Sequence, residues 1–162
     1  MITARLDGGD ALAARLAALP ATLNASLAQA VAELGRALYL RVERNLSGAV
    51  LQRRSGRLAA SVAVTVERRG SAVSATLKTD VPYAAIHEYG GILPARLVLP
   101  QRGRALAFPW RGQERFFARV SVPPAAMPER SFMRSALADM APEIRAALTR
   151  AALAAAARAV TT

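Results

Sequence analysis

The chain contains no cysteine. A disulfide framework, a cysteine-ligated zinc site and a thiol nucleophile are therefore excluded, while the redox compartment stays open. Histidine occurs once, at His87, and lysine once, at Lys78. The 11 acidic residues are scattered singly, and aromatic residues make up only 5% of the chain. There is no phosphate-cradling Gly-x-x-x-x-Gly-Lys-Ser/Thr loop, no Gly-x-Gly-x-x-Gly following a strand, and no Gly-x-Ser-x-Gly elbow. No uncharged apolar run approaches the roughly 18 residues a membrane span needs. The nearest, from Ala146 to Val160, is broken by Arg150 and Arg158. The opening residues show no cationic segment followed by an apolar run, so neither a signal peptide nor a membrane helix is expected.

What the chain does have is apolar mass and positive charge. Hydrophobic residues are 53% of 162, enough for one domain with a core rather than a disordered basic tail. The formal net charge is +11, carried almost wholly by arginine. Such a charge attracts phosphate backbones and acidic protein surfaces alike.

Periodicity orders the chain. Residues 10–19 read as a short helix, with Asp10 as its cap and Leu12, Leu16 and Leu19 on one side, and Pro20 interrupts it. Thr22 then opens a long amphipathic helix to about Leu46. Its stripe is Leu23, Leu27, Val31, Leu34, Leu38, Val42 and Leu46, in steps of three and four. Residues 47–56 read as a loop. From Leu58 the period changes to two, predicting a strand through Val66, the turn Arg68-Arg69-Gly70-Ser71, and a returning strand from Ala72 to Thr79. Pro82 ends that hairpin, and Tyr83 to Tyr89 form a short helix stopped by Gly90-Gly91. Residues 92–103 read as an extended loop. Arg104 to Trp110 and Glu114 to Val122 form a second strand pair, followed by a rigid connector at Pro123, Pro124 and Pro128. Ser131 caps a last helix, with Phe132, Ala136, Leu137 and Met140 on one side. It continues past Pro142 through Ile144, Leu148 and Leu153 into an alanine-rich end.

Strands and helices are segregated rather than alternating. The expected fold is therefore α+β: an antiparallel sheet packed with a long N-terminal amphipathic helix and a C-terminal helix. The expected organisation is a single domain over 1–162. Within it lie an N-terminal helical extension (1–20), a core (21–141) and an alanine-rich C-terminal helix (142–162).

The residues that enzyme chemistry needs are thin. Nucleophilic hydrolysis requires a nucleophile, a base and an orienting group. His87 beside Glu88 is the best pair available, yet neighbours on a helix point about 100° apart and share a small metal poorly. A hydrolase using His87 is a rival reading. The expectation is no enzyme activity, no catalytic residue, no metal and no cofactor. The basic clusters are more distinctive: Arg53-Arg54-Ser55-Gly56-Arg57 on a loop, Arg68-Arg69 on a turn, and Arg102 and Arg104 flanking Gly103. A nucleic-acid reader should show a recognition helix or a platform of exposed aromatics. Neither stands out, since the eight aromatic residues mostly fall at positions that read as buried. The plain reading of the clusters is a solvated surface; after it, because arginine's planar fork suits a carboxylate as well as a phosphate, an acidic protein partner is preferred to nucleic acid.

Three segments taken in order carry a resemblance. They are Arg54-Ser55-Gly56-Arg57-Leu58-Ala59-Ala60-Ser61-Val62, then Val81-Pro82-Tyr83-Ala84-Ala85-Ile86-His87-Glu88-Tyr89-Gly90-Gly91, then Met127-Pro128-Glu129-Arg130-Ser131-Phe132-Met133-Arg134-Ser135-Ala136-Leu137. With a long amphipathic helix in front, the set resembles the tail-completion and head–tail joining proteins of long-tailed bacteriophages. That group includes the minor tail component and virion morphogenesis families and their relatives in gene transfer agents. The resemblance covers about residues 20–140. It departs from the family pattern at Glu129-Arg130-Ser131, where Ala-Arg-Pro is usual, and at Ser135, where proline is usual.

The resemblance implies a virion structural protein, assembled in the host cytoplasm. It implies a homo-oligomeric, non-enzymatic function of shape: a hexameric ring at the top of the tail or at the head–tail junction, meeting the major tail tube protein and a neck or head-completion protein. Contact with passing DNA would be nonspecific, and no membrane is involved. The alternatives are a neck stopper or adaptor of the same particle, and a small basic DNA-binding protein. Arg53, Arg54, Arg57, His87, Glu88, Arg102 and Arg104 are the candidates for subunit or ring contacts. Ser55, Gly56, Leu58, Pro82, Tyr83, Tyr89, Gly90, Pro128 and Phe132 form the motif scaffold. In that scaffold Gly56 supplies an unusual backbone angle, Tyr83 and Tyr89 anchor the short helix, and Pro128 and Phe132 set the start of the last one.

Overall fold

A computed structural model describes residues 9–101 and 103–161. The fold is α+β, and the chain divides into two compact units. One comprises the described residues up to 84 together with those from 132 onward, and the other residues 85–131.

The first unit is built on helix α1, Gly9–Arg44. The expected break at Pro20 does not occur: the helix runs through it. An internal proline costs about 3 kcal/mol. Against that cost, Leu19 and Leu23 keep the four-residue spacing across Pro20, so the apolar stripe continues in register on the far side. The expected cap at Asp10 and the apolar positions Leu12 and Leu16 fall on side chains outside the described ones. All seven stripe residues from Leu23 to Leu46 are at least partly buried, and burial is deepest at Val42 and Leu46. A single π turn, Asn45–Ala49, ends the helix, with the Asn45 carbonyl accepting the N–H groups of both Val50 and Leu51.

Helix α2 is one turn, Arg57–Ser61, where the sequence pattern predicts the start of a strand. Leu58 therefore packs on the core from a helix and does not begin a strand face. Alternating leucine, alanine and serine fit either geometry, and local hydrogen bonds decide. Ala60 N–H donates to the Gly56 carbonyl at 2.9 Å, and Ser61 Oγ donates back to the Leu58 carbonyl at 2.8 Å. Strands β1 (Ala63–Arg69) and β2 (Ala72–Lys78) then form the expected antiparallel hairpin, with Val64 opposite Leu77 and Arg69 opposite Ala72. Its inward face lies on α1 at Gly35, where Ala75 and Val64 leave little room for any side chain.

Helix α4, Arg134–Thr161, also runs through its proline, Pro142, and packs along α1. Phe132, Ala136 and Met140 are buried as expected, but Leu137 and Leu153 are exposed. The core gathers Val42, Leu46, Leu51, Val62, Val81, Ala84, Phe132 and Ala136. Asn45 fastens this junction, donating from Nδ2 to the Phe132 carbonyl at 2.9 Å.

The second unit contains all of helix α3 (Ala84–Tyr89) but its first residue, and six strands in nested pairs. These strands are β3 (Gly91–Leu93), β4 (Arg96–Val98), β5 (Leu106–Trp110), β6 (Gln113–Phe117), β7 (Val120–Val122) and β8 (Ala125–Met127). β3 pairs with β8, β4 with β7 and β5 with β6, all antiparallel. The result is a nested two-stranded ribbon, its pairing interrupted between Val98 and Leu106 on one side and between Phe117 and Val120 on the other. The expected extended loop at 92–103 thus contains two strands. The proline-rich connector supplies a third, β8, between Pro124 and Pro128, which leave its three residues free to pair. Proline is tolerated here because each strand has an unpaired edge. In all, the antiparallel pairing is spread over four two-stranded pairs.

Phe132 has 0% of its surface exposed. Phe132→Ala is expected to lower unfolding stability by about 3–5 kcal/mol, read as a reduced urea midpoint at unchanged slope in far-ultraviolet circular dichroism.

Candidate functional site

Three groups of polar residues merit description, each within a single unit. The first is the basic turn before α2. Gly56 takes a left-handed φ of 74°, so the sequence expectation of an unusual angle holds, at a loop-to-helix switch. The chain folds the Arg53 guanidinium back over this glycine, within 3.0 Å of where a side chain would begin. Arg53, Arg54 and Arg57 are all exposed, and Ser55 Oγ accepts a long hydrogen bond of 3.4 Å from the Arg57 N–H. This turn presents three cations to solvent from one short segment.

The second group surrounds α3. Glu88, expected at the surface, is buried, with 5% of its area exposed. Ser131, the expected cap of α4, donates from Oγ to Glu88 Oε1 at 2.8 Å. His87 is half-buried, its Nδ1 is shut off from solvent, and its carbonyl accepts the Arg130 N–H at 2.8 Å. His87 and Glu88 therefore tie α3 to the 129–131 segment and are not the exposed contact residues expected. Gly90 closes the arrangement with a φ of 68°. A methyl group there would come within 2.8 Å of the Glu129 nitrogen and 3.0 Å of the Met127 carbonyl oxygen. Tyr89 is largely exposed and Tyr83 partly so, so neither anchors α3 by burial of its ring. Pro82 and Pro128 are exposed and bracket the segment in the chain.

Of the third group, sequence reasoning named only Arg102 and Arg104. The ribbon turns at Arg111-Gly112, with φ of 53° and 80°, between the paired residues Trp110 and Gln113. Trp110 is 53% exposed and Phe116 69% exposed, against the expectation that the aromatic residues are mostly buried. Phe108 and Phe117 cover one another, their rings stacked at 5.0 Å. Arg104, Arg111, Arg115 and Arg119 are all exposed around them. Arg102 lies outside the described residues. The available signal was the width of the element: a two-stranded ribbon has no second layer to bury both of its faces. Toward the other end, Ile92 (74% exposed), Leu97 and Leu99 are also exposed.

A groove of about 390 Å³ also runs between α1 and α4, lined in part by Gln29, Glu33, Glu143 and Arg150. Glu33 accepts a hydrogen bond from Gln29 Nε2, and the groove holds no histidine. Among the described residues, no group of three or more histidine, aspartate and glutamate side chains is placed to hold a metal ion. No helix of the described residues is long and apolar enough to cross a membrane. Compared with family models, curated proteins and solved structures, the chain matches none of them.

Gly90→Ala is expected to destabilise the chain by about 2 kcal/mol, from the left-handed conformation and the crowded backbone together, with the loss visible as a lower thermal midpoint. Ser131→Ala removes a donor to a buried carboxylate. It should cost about 1.5 kcal/mol and speed amide hydrogen exchange in residues 85–90 more than in α4.

Proposed function

We propose that this chain is a structural protein of a phage-like particle, forming a closed ring at the top of the tail or at the head–tail junction. The observation that carries this reading is the apolar surface of the ribbon. Ile92, Leu97 and Leu99 are exposed on an element only two strands wide, both of whose edges are unpaired. Large apolar side chains and open strand edges clustered on one element mark a surface that another protein covers. A ring of identical copies covers such a surface by head-to-tail contacts that close on themselves. The ordered motifs Ser55-Gly56-x-Leu58, Tyr83 to Gly90 and Pro128 to Phe132 support the same reading through their resemblance to tail-completion proteins.

The exposed turn at Arg53, Arg54 and Arg57 fits contact with an acidic surface of a neighbouring component, such as a tail tube or neck protein. Buried Glu88 and half-buried His87 serve the subunit's own architecture in this reading. The activity is one of binding and geometry, with no bond made or broken.

Native mass measurement of the purified chain tests the reading. The expected species is a closed assembly of six 17.1 kDa copies, seen as an annulus in electron micrographs. A chain that stays monomeric at every concentration would sink it. Reversing the charge of Arg53, Arg54 and Arg57 together should leave the chain folded but block the joining of heads to tails.

A further inference from the structure

We propose that the turn end of the ribbon, β5 and β6 with their flanking residues, binds duplex DNA through its phosphate backbone without sequence preference. The inference goes beyond ring formation. It concerns one end of one element and stands whatever the assembly state.

Charge is the first observation. Residues 91–127 carry six arginines and a single acidic residue, Glu114. Four of those arginines, Arg104, Arg111, Arg115 and Arg119, are exposed within or beside β5 and β6, and none of the four makes a salt bridge among the described residues. Guanidinium forks bind phosphate oxygens bidentately and keep their charge at any physiological pH. The rest of the chain is also net basic, so a second copy offers this end like charge.

Shape is the second. The pairing register puts Trp110, Phe108 and Arg115 on one face of the ribbon and Phe116 on the other. The two most exposed rings at this end thus point in opposite directions. A flat protein partner could cover only one of them. A groove meets both faces of whatever enters it, and the major groove of B-DNA, about 12 Å wide, admits a two-stranded ribbon. Of the exposed apolar residues, Ile92 lies in the pair farthest from the turn and Leu97 in the middle pair, with Leu99 just beyond it, while β5 and β6 themselves present rings and cations.

The turn is the third. Both of its central residues have positive φ, as a tight two-residue hairpin requires. Glycine or asparagine takes that backbone with less strain than arginine does. Arg111 nonetheless occupies the first position, where its side chain stands at the very end of the ribbon.

The test is fluorescence anisotropy of a short, random-sequence labelled duplex, titrated with the full chain at several salt concentrations. Trp110 is the only tryptophan, so quenching of its emission by unlabelled duplex reports on this end directly. The parent chain should bind at physiological salt. Substituting Arg104, Arg111, Arg115 and Arg119 by alanine should weaken binding about tenfold or more, and should reduce the slope of log affinity against log salt by about 3. These residues are exposed, and unchanged circular dichroism would show that the variant folds. Arg53→Ala with Arg54→Ala and Arg57→Ala should bind like the parent.

Equal loss in the two variants would mean bulk charge and would overturn the proposal. So would unaltered Trp110 emission, preference for a single strand of the same length, or equally good competition by poly-glutamate, which would point to an acidic protein instead. Mass measured on the same samples reads assembly separately, so the ring and the DNA contact fail independently.

Discussion

The first unit depends on how one aromatic side chain is held. Phe132 is wholly buried in a core that includes Val42 and Leu46, near the end of α1, and Asn45 grips its carbonyl. This contact joins residues far apart in the chain and fixes where α4 begins. A buried ring of this size dominates its neighbourhood energetically, and a close-packed core tolerates little change in its volume. The Asn45 amide adds direction to that apolar contact. The long helices, the hairpin lying against Gly35 and the short helix α2 are arranged around it. The salt bridge between Arg41 and Asp139, at 3.4 Å and partly exposed, adds little beside it.

The parts of the fold that could be read from the sequence are those whose periodicity spans many residues. Seven apolar positions from Leu23 to Leu46 define a helix face, and valines alternating with polar residues define β1 and β2. Where the pattern is short, the reading misled. Leu58 to Ser61 alternates like a strand but closes as a helical turn, because Ser61 and Gly56 provide hydrogen bonds that no pattern of apolar residues encodes. Pro20 read as a break, yet α1 continues through it, as α4 does through Pro142.

The candidate sites were legible only in part. Arg53, Arg54 and Arg57 are exposed, as their sequence suggests. Glu88 is not, because Ser131, 43 positions away, returns to meet it, and such a long-range partner leaves no trace in local spacing. The ribbon was the largest omission. Its aromatic residues were assigned to a core by the usual tendency of such side chains to be buried. That tendency presupposes a second layer, which β5 and β6 lack, so Trp110 and Phe116 face solvent among arginines.

The nesting of β3 with β8, β4 with β7 and β5 with β6 also constrains how the chain folds. A hairpin that starts at Arg111-Gly112 closes the smallest possible loop, and every later pair extends a zipper already begun. When the zipper reaches Gly91 and Met127, the two stretches of chain entering and leaving the ribbon have been brought side by side. The intervening residues then weigh on the union of α1 and α4 as a short tether would. A long inserted segment thereby becomes kinetically inexpensive, because its own local pairing does the work of drawing distant halves of the polypeptide together.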